Sequence, residues 1–459
     1  MMDGFSYRGH ALHVGDIPVA DIAETVGTPT YIYSADGIRG AYSRLQRAFA
    51  PLGARLHYAV KASPNMHLCR LLRELGAGMD VVSGGEMERA WLSGSAMDDI
   101  VFAGVGKTDA EIYAALDGRF SPVREDAARF GRENVDQRGP VGMFNIESPS
   151  ELDRLAVISK ELGIPARACI RVNPDVDART HVYTTTGKVE NKFGIDFDRV
   201  TALFDRYRDH PTLRIVGLHA HIGSPVRHID PYESAIRLLL GLIDDLEAHG
   251  HAITVLDIGG GWAIDYYEGE SPGAAAYAEA LVPLLEERVR AGLQITMEPG
   301  RSIVGNAGIL LTRVHHIKEG RTKRFVICDA GMHTLIRPAL YQAFHFLWPV
   351  QVHSEHVPTT WGEHMDMPHL LPCDVVGPIC ESSDFLAKNR ALPEVERGDL
   401  LAVFSAGAYG MSITSNYNDH GRPAEVLVDG DTVRLINQRQ KLTDVLETER
   451  MAEGVVSPG

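Results

Sequence analysis

Cysteine is scarce, with five residues in a chain of 459. They stand at Cys69, Cys169, Cys328, Cys373 and Cys380, an odd count at wide spacing with no CxxC pair. That pattern indicates neither a disulfide framework nor a zinc knuckle, and it suits a reducing compartment. Long apolar runs are also missing, so no segment has the length of a membrane span. The opening MMDGFSYRGHALHVGD is polar and mixed, unlike a secretory signal peptide. A cytoplasmic location is therefore expected. Positive charge is in deficit: 45 Lys and Arg stand against 61 Asp and Glu, a formal net charge of -16. Such a balance disfavours nucleic acid and anionic membrane as partners, because both need a basic face. Internal repeats and low-complexity segments are absent from the sequence.

What is present is ordinary for a globular chain: 44% hydrophobic and 23% charged residues. The length suits one large domain and a smaller one. From about residue 30 to about 310, short apolar runs alternate with amphipathic segments. The runs are PTYIYS, ARLHYAVK, GMDVVS, DIVFAG, VGMFNI, ARACIRVN, IVGLHAHIG, TVLDIGGG and LQITMEPG. Segments such as SELDRLAVISKELG between them space apolar residues by three and four and end in Gly. Alternation of this kind means a parallel sheet with crossover helices. Two α/β architectures are open, a (β/α)8 barrel and a doubly wound sheet. Polar motif residues follow many of the strands, and only a barrel brings that many strand ends to one face, which favours the barrel. The expected organisation is a barrel over residues 30–312 and a β-rich C-terminal domain over 313–449, joined by strands from 1–29. The charged stretch at about 115–141 reads as an insertion, on the surface or in a subunit contact.

Several of those residues carry possible chemistry. Lys61 ends the strand-like HYAVK. Burying an ammonium is costly, and the same cost lowers its pKa and makes the amine more nucleophilic toward an aldehyde. His219 and His221 sit two apart in GLHAHIGS, followed by Gly223 and Ser224. Metal ligation, a ring lying on a cofactor, and a core histidine are all open for that pair. In DIGGGW (257–262) three glycines would let backbone N–H groups approach an anion. MEPGRS (297–302) holds Glu298 and Arg301 at a strand end, where a carboxylate suits a protonated ring nitrogen and an arginine suits a phosphate or carboxylate. Further on, Arg337 and Tyr341 stand four apart, Cys380 stands beside Glu381, and Tyr409 lies in SAGAYGMS.

Together YAVKAS, DVVSGGE, ENKFGI, HAHIGS, DIGGGW, EPGRS, DAGMHTLIRPALY, GPICESSD and GAYGMS occur in the order found in the fold-type III pyridoxal-phosphate-dependent decarboxylases. The chain resembles that family over about residues 28–445, and within it most closely the diaminopimelate decarboxylases. The resemblance implies pyridoxal 5′-phosphate held by Lys61, with Asp80 near the attachment point, His221 stacked on the ring and Glu298 on the pyridine nitrogen. Ser224, Gly260, Gly261, Gly300, Arg301 and Tyr409 would lie near the phosphate or substrate. It implies a homodimer, with Cys380 as proton donor and with Cys380 and Glu381 reaching the other subunit's site. Arg301, Arg337, Tyr341, Glu381 and Tyr409 would bind the substrate, and no metal is expected. The Glu of CES favours meso-2,6-diaminopimelate, whose distal end needs a cation and an acid, decarboxylated to L-lysine. Three features depart from the family: Ala263 after GGGW, His333 in DAGMHT, and the length of the insertion. Other readings are a decarboxylase of another basic or D-amino acid such as ornithine, lysine or arginine, a non-catalytic binding protein for the cofactor, and a racemase.

Overall fold

Eight of the nine apolar runs become parallel strands of one closed barrel. The computed structural model describes residues 3–132, 135, 138–179 and 192–449. The barrel strands are β1 (Arg55–Ala59), β2 (Gly78–Val81), β3 (Ile100–Phe102), β4 (Met143–Ile146), β5 (Ala166–Arg171), β6 (Leu213–His219), β7 (Val255–Asp257) and β8 (Gln294–Met297). Each pairs with the next, and β8 pairs back onto β1. Their near-continuous burial explains the unbroken apolar runs, since a barrel strand is covered by helices outside and side chains inside. Val101, Met143, Cys169 and Val255 form one cluster of this core.

The crossover helices start on short polar caps. Asn65 caps Met66–Glu74, Ser83 caps Gly84–Leu92, Thr108 and Glu111 form a capping box on Asp109–Leu116, and Ser148 caps Pro149–Leu162. These caps fix where each chain segment turns at the C-terminal rim of the strands. The barrel unit comprises residues 37–265 and 269–305. The other unit is built from residues up to 36, residues 266–268 and residues from 306 onward.

The ninth run, PTYIYS, does not join the barrel. Its strand Thr30–Ser34 lies in the other unit, antiparallel to Gly308–Glu319 and parallel to Ala424–Asp429. All five of its residues are buried. A central strand of any covered sheet has the same apolar texture as a barrel strand, so texture alone cannot assign it. The sheet runs in the order Phe385–Leu392, Leu371–Val376, Arg324–Cys328, Gly308–Glu319, Thr30–Ser34, Ala424–Asp429, Thr432–Asn437. Leu400–Val403 also pairs with Gly308–Glu319 and carries Leu347–Pro349. The first residues form a small antiparallel sheet of their own, Phe5–Arg8, Ala11–Val14 and Ile17–Pro18.

Within the described part of the insertion, short 3-10 turns at Gly118–Phe120 and Ala127–Phe130 replace longer helices. The stretch is tied down by buried charge. Arg138 donates 2.7 and 2.8 Å bonds to the two carboxylate oxygens of Glu88 and a third to Ala114 O. Ser121 Oγ donates to Glu88 as well. Among the described residues no helix is long and apolar enough to cross a membrane.

Candidate active site

The C-terminal ends of the barrel strands gather the polar residues. Lys61 sits in the turn Val60–Ala62 that follows β1, and its Nζ pairs with Asp80 Oδ2. The pairing follows from register, because Ala59 of β1 lies opposite Asp80 of β2. Asp80 is fully buried while the Lys61 side chain keeps 32% of its surface. Burial and the nearby Glu298 raise the Asp80 carboxyl's pKa, and Lys61 opposes them.

Glu298 follows β8 directly. Its backbone N–H donates to Gly259 O, and its Oε1 accepts a 2.9 Å bond from Asn145 Nδ2 of β4. His219 Nε2, at the end of β6, lies 3.3 Å from Glu298 Oε2. Burial works against the Glu298 anion, yet His219, Lys61 and a hydrogen bond from Asp257 outweigh it and hold the carboxyl well below the usual range. His219 moves the opposite way: burial lowers it, but Glu298 and Asp257 prevail and raise it. The histidine pair of GLHAHIGS thus divides its roles. His219 is a buried ion-pair partner. His221 accepts a 3.1 Å bond at Nδ1 from the Gly260 N–H, and burial, aided by Arg171 and Lys61, pushes its pKa down to about 3. A neutral ring with its proton on Nε2 results.

The glycines of DIGGGW answer first to backbone crossings. A Cβ on Gly260 would stand 2.1 Å from Glu298 O, and one on Gly261 (φ +98°) would stand 2.1 Å from Gly223 O. The Gly259 N–H is engaged by Asp257 Oδ1 and the Gly260 N–H by His221. So two of the amides expected to meet an anion are used inside the protein. Gly300 is likewise set by packing, since a Cβ there would meet Ala59 Cβ at 2.9 Å. Arg301 is 5% exposed, and its Nε and Nη2 each lie 3.3 Å from Ser224 Oγ. Lys61, His221, Ser224 and Gly261 retain accessible surface, whereas Asp80, Asp257, Glu298 and Arg301 are buried behind them. A nucleophile-capable amine, a neutral flat ring and a hydroxyl backed by a guanidinium thus line the mouth, with carboxylates beneath.

The second unit carries the other expected residues. Arg337 opens the one-turn helix Arg337–Tyr341 and is 6% exposed. Its guanidinium donates to Tyr266 Oη at 2.9 Å and to His345 Nε2 at 3.3 Å, and it lies over the rings of Tyr266 and Tyr341. Cys380 is exposed, and its N–H donates to Asn418 Oδ1. Glu381 accepts hydrogen bonds from Tyr417 Oη and from Ser383 Oγ, which lower its carboxyl pKa. Asp384 sets this loop by accepting the N–H groups of Met332 and Ile379, both at 2.6 Å. Gly331 and Gly377 meet so closely that a Cβ on either would stand under 3 Å from the other's Cα. Tyr409 adopts a left-handed φ of 54°. His333 is buried against His420, and burial pushes its pKa down to about 4.

Residue-by-residue reasoning from the sequence missed Asn145, Asp257, Tyr266, Asn418 and Tyr417. Asn145 had a signal, a lone amide within the apolar run VGMFNI, and Asp257 heads DIGGGW. Tyr266, Asn418 and Tyr417 had none. The ENKFGI motif lies partly outside the described residues, which resume at Lys192.

Residues 35–305 match the family model for the pyridoxal-dependent decarboxylase, pyridoxal binding domain. The diaminopimelate decarboxylase of Aquifex aeolicus is 42% identical over 442 residues, 96% of each chain. That of Pseudomonas aeruginosa is 42% identical over 98% of this chain and 99% of the relative. Among solved structures, diaminopimelate decarboxylase from M. jannaschii in complex with L-lysine superposes with a TM-score of 0.85 at 33% identity, covering 98% of both chains. The Helicobacter pylori enzyme with L-lysine gives 0.81 at 35% identity over 94% of this chain and 99% of that one.

Proposed function

This chain belongs to the pyridoxal-dependent decarboxylase family, and on that premise we propose that it decarboxylates meso-2,6-diaminopimelate to L-lysine and carbon dioxide, the last step of lysine biosynthesis. The observation that carries the reading is the buried row Lys61–Asp80 and Glu298–His219 at the barrel mouth. These residues fit pyridoxal 5′-phosphate: an amine that keeps access, a carboxylate kept anionic in the interior, and Asp80 Oδ1 buried without a hydrogen-bond partner. Lys61 would hold the cofactor, Glu298 its ring nitrogen, His221 its ring, and Ser224, Gly261 and Arg301 its phosphate. When bound, the cofactor supplies an electron sink for the pair left behind as carbon dioxide departs.

The chain's own residues do the rest. Asp80 takes and returns protons at Lys61 Nζ, since burial and the lysine pull its affinity in opposite directions. Glu298 stays ionised and keeps a proton on the group it faces. His221 offers an uncharged face, fixed by the Gly260 N–H, so it adds no competing cation. The Cys380 thiol, exposed, returns the proton that replaces carbon dioxide. For the distal end of the substrate, Arg337 supplies the cation, Tyr341 and Tyr409 supply hydroxyls, and Glu381 supplies the acid for the amine. Exposure of Cys380 and Glu381 supports a homodimer in which they serve the partner's site. Five unpaired cysteines support a cytoplasmic setting.

Arg337→Ala tests the substrate. A lost charge-assisted bond is worth about 1.5–3 kcal/mol, so KM for diaminopimelate should rise roughly 10- to 150-fold, and little for ornithine. Equal effects on both substrates in a carbon dioxide release assay would contradict the assignment.

A further inference from the structure

We propose that Asp257 is a positioning residue held as a neutral acid, donating its proton to Glu298 so that Glu298 remains the anion of the barrel mouth. The proposal begins from a charge count. Three carboxylates, Asp80, Asp257 and Glu298, are at most 5% exposed and lie at the ends of β2, β7 and β8. Several rim elements supply the groups that face them, among them His57 of β1, which burial keeps neutral, and Glu86 near Asp80 and Lys61, whose own carboxyl pKa burial raises. From β1 comes Lys61, paired with Asp80. From β6 comes His219, 3.3 Å from Glu298, and beyond it the neutral His221. From β5 comes Arg171, committed to Glu147, and Cys169, whose thiol burial keeps protonated. From β4 comes Asn145, an uncharged amide. Among the described residues, two cationic partners, Lys61 and His219, therefore serve these three carboxylates.

Asp257 is the one left without a cation of its own. Its Oδ1 accepts the Gly259 N–H at 2.9 Å and its Oδ2 accepts Asn145 Nδ2 at 3.2 Å. The same Nδ2 donates to Glu298 Oε1 at 2.9 Å, so one amide holds the two acids side by side. Oxygens of both acids and a nitrogen of His219 lie within 4.8 Å of one another. Two anions at that separation in a dry interior repel strongly, and such pairs share one proton. Burial and the neighbouring Glu298 raise the Asp257 carboxyl's pKa, in agreement with the geometry. Glu298, with His219 and the Asn145 amide on it, is the better-served anion. The proton therefore rests on Asp257 and points at Glu298. This gives DIGGGW a task beyond its turn, because its aspartate keeps the ring-nitrogen partner charged.

The consequence for the cofactor rests on the reading above, but the direct test does not, because it is made on apoprotein. Infrared spectra at neutral pH should show the carbonyl stretch of a protonated carboxylic acid. Asp257→Asn should abolish that component, and Asp80→Asn should leave it. An identical band in Asp257→Asn, or no such band in the wild type, would overturn the proposal. Should Asp257→Asn not accumulate, Glu298→Gln serves instead. Removing the anion removes the repulsion that keeps the proton on Asp257, so the band should shift or vanish as Asp257 ionises, and an unchanged band overturns the proposal. Cofactor affinity is the second readout. The neutral donor Asn should hold the dissociation constant of pyridoxal phosphate within about threefold, while Asp257→Ala should weaken it by about tenfold, one charge-assisted hydrogen bond. A larger loss in Asn than in Ala would mean that Asp257 works as an anion.

Discussion

Glu298 is a carboxylate placed where charge is expensive. It is 5% exposed and its pKa is still held well below the usual carboxylate range, because His219, Lys61 and Asp257 outweigh burial, and the Asn145 amide donates to it. That arrangement makes a prediction about a single atom. Glu298→Gln keeps the shape and removes the charge, so a ring nitrogen held there, as we propose, would lose its proton and the electron sink would weaken. We expect kcat to fall by about two orders of magnitude, roughly 2.7 kcal/mol, with KM changed little. Steady-state kinetics decide this, and a kcat within a factor of three of wild type would contradict the role. That Lys61, His221 and Glu298 stand just past the ends of barrel strands could be read from the sequence, because each follows a recognisable apolar run. The groups that tune them could not. Asn145 and His219 point their polar atoms at partners more than 70 residues away in sequence, and period-two alternation says that they share a face without saying what they face.

At the scale of elements, the glycine turns and the insertion show how local sequence is overruled by contact. Three glycines in a row suggested open amides for an anion, yet two of those amides are spent on Asp257 and His221. PTYIYS had the texture of a barrel strand and lies in the other unit's sheet, because central burial erases the alternation that would have told them apart. The insertion reads from sequence as a surface excursion or a subunit contact; much of its described part is exposed, and it is anchored by Arg138 and Glu88, a pair whose side chains are 2% and 4% exposed. Breaking a buried pair from one side leaves an uncompensated charge. Arg138→Ala should therefore cost about 3–5 kcal/mol of stability. Urea denaturation of the apoprotein checks it, and a loss under 1 kcal/mol would place the insertion outside the cooperative fold.

For the whole molecule, the relevant property is how many ionisable groups are buried in an uncharged form. Burial, with Arg55 adding to it, pushes His57 of β1 down to about 4, and His221 lies at about 3. A histidine of this kind takes up a proton first in the unfolded chain, near pH 6.5. Stability is therefore fully present above that pH and is lost as pH falls from 6.5 toward 4 and 3. Each such group removes about 1.4 kcal/mol per pH unit over its window. Asp80 and Asp257, whose carboxyl pKa values burial raises to about 7 and about 8, take up protons in the folded chain over the same range and oppose this loss. The histidine contribution is therefore read as a difference: urea midpoints of the apoprotein between about pH 6.5 and 5 should fall less, or rise more, in His57→Gln than in the wild type, and identical profiles would contradict it.

The central claim is that Lys61 holds the cofactor, and borohydride reduction followed by peptide mapping tests it most directly. Addition of pyridoxal 5′-phosphate should give a visible absorption band that borohydride removes, leaving the cofactor's mass fixed on the peptide containing Lys61 and no label in Lys61→Ala. Label on another lysine, or a band retained in Lys61→Ala, would contradict the assignment.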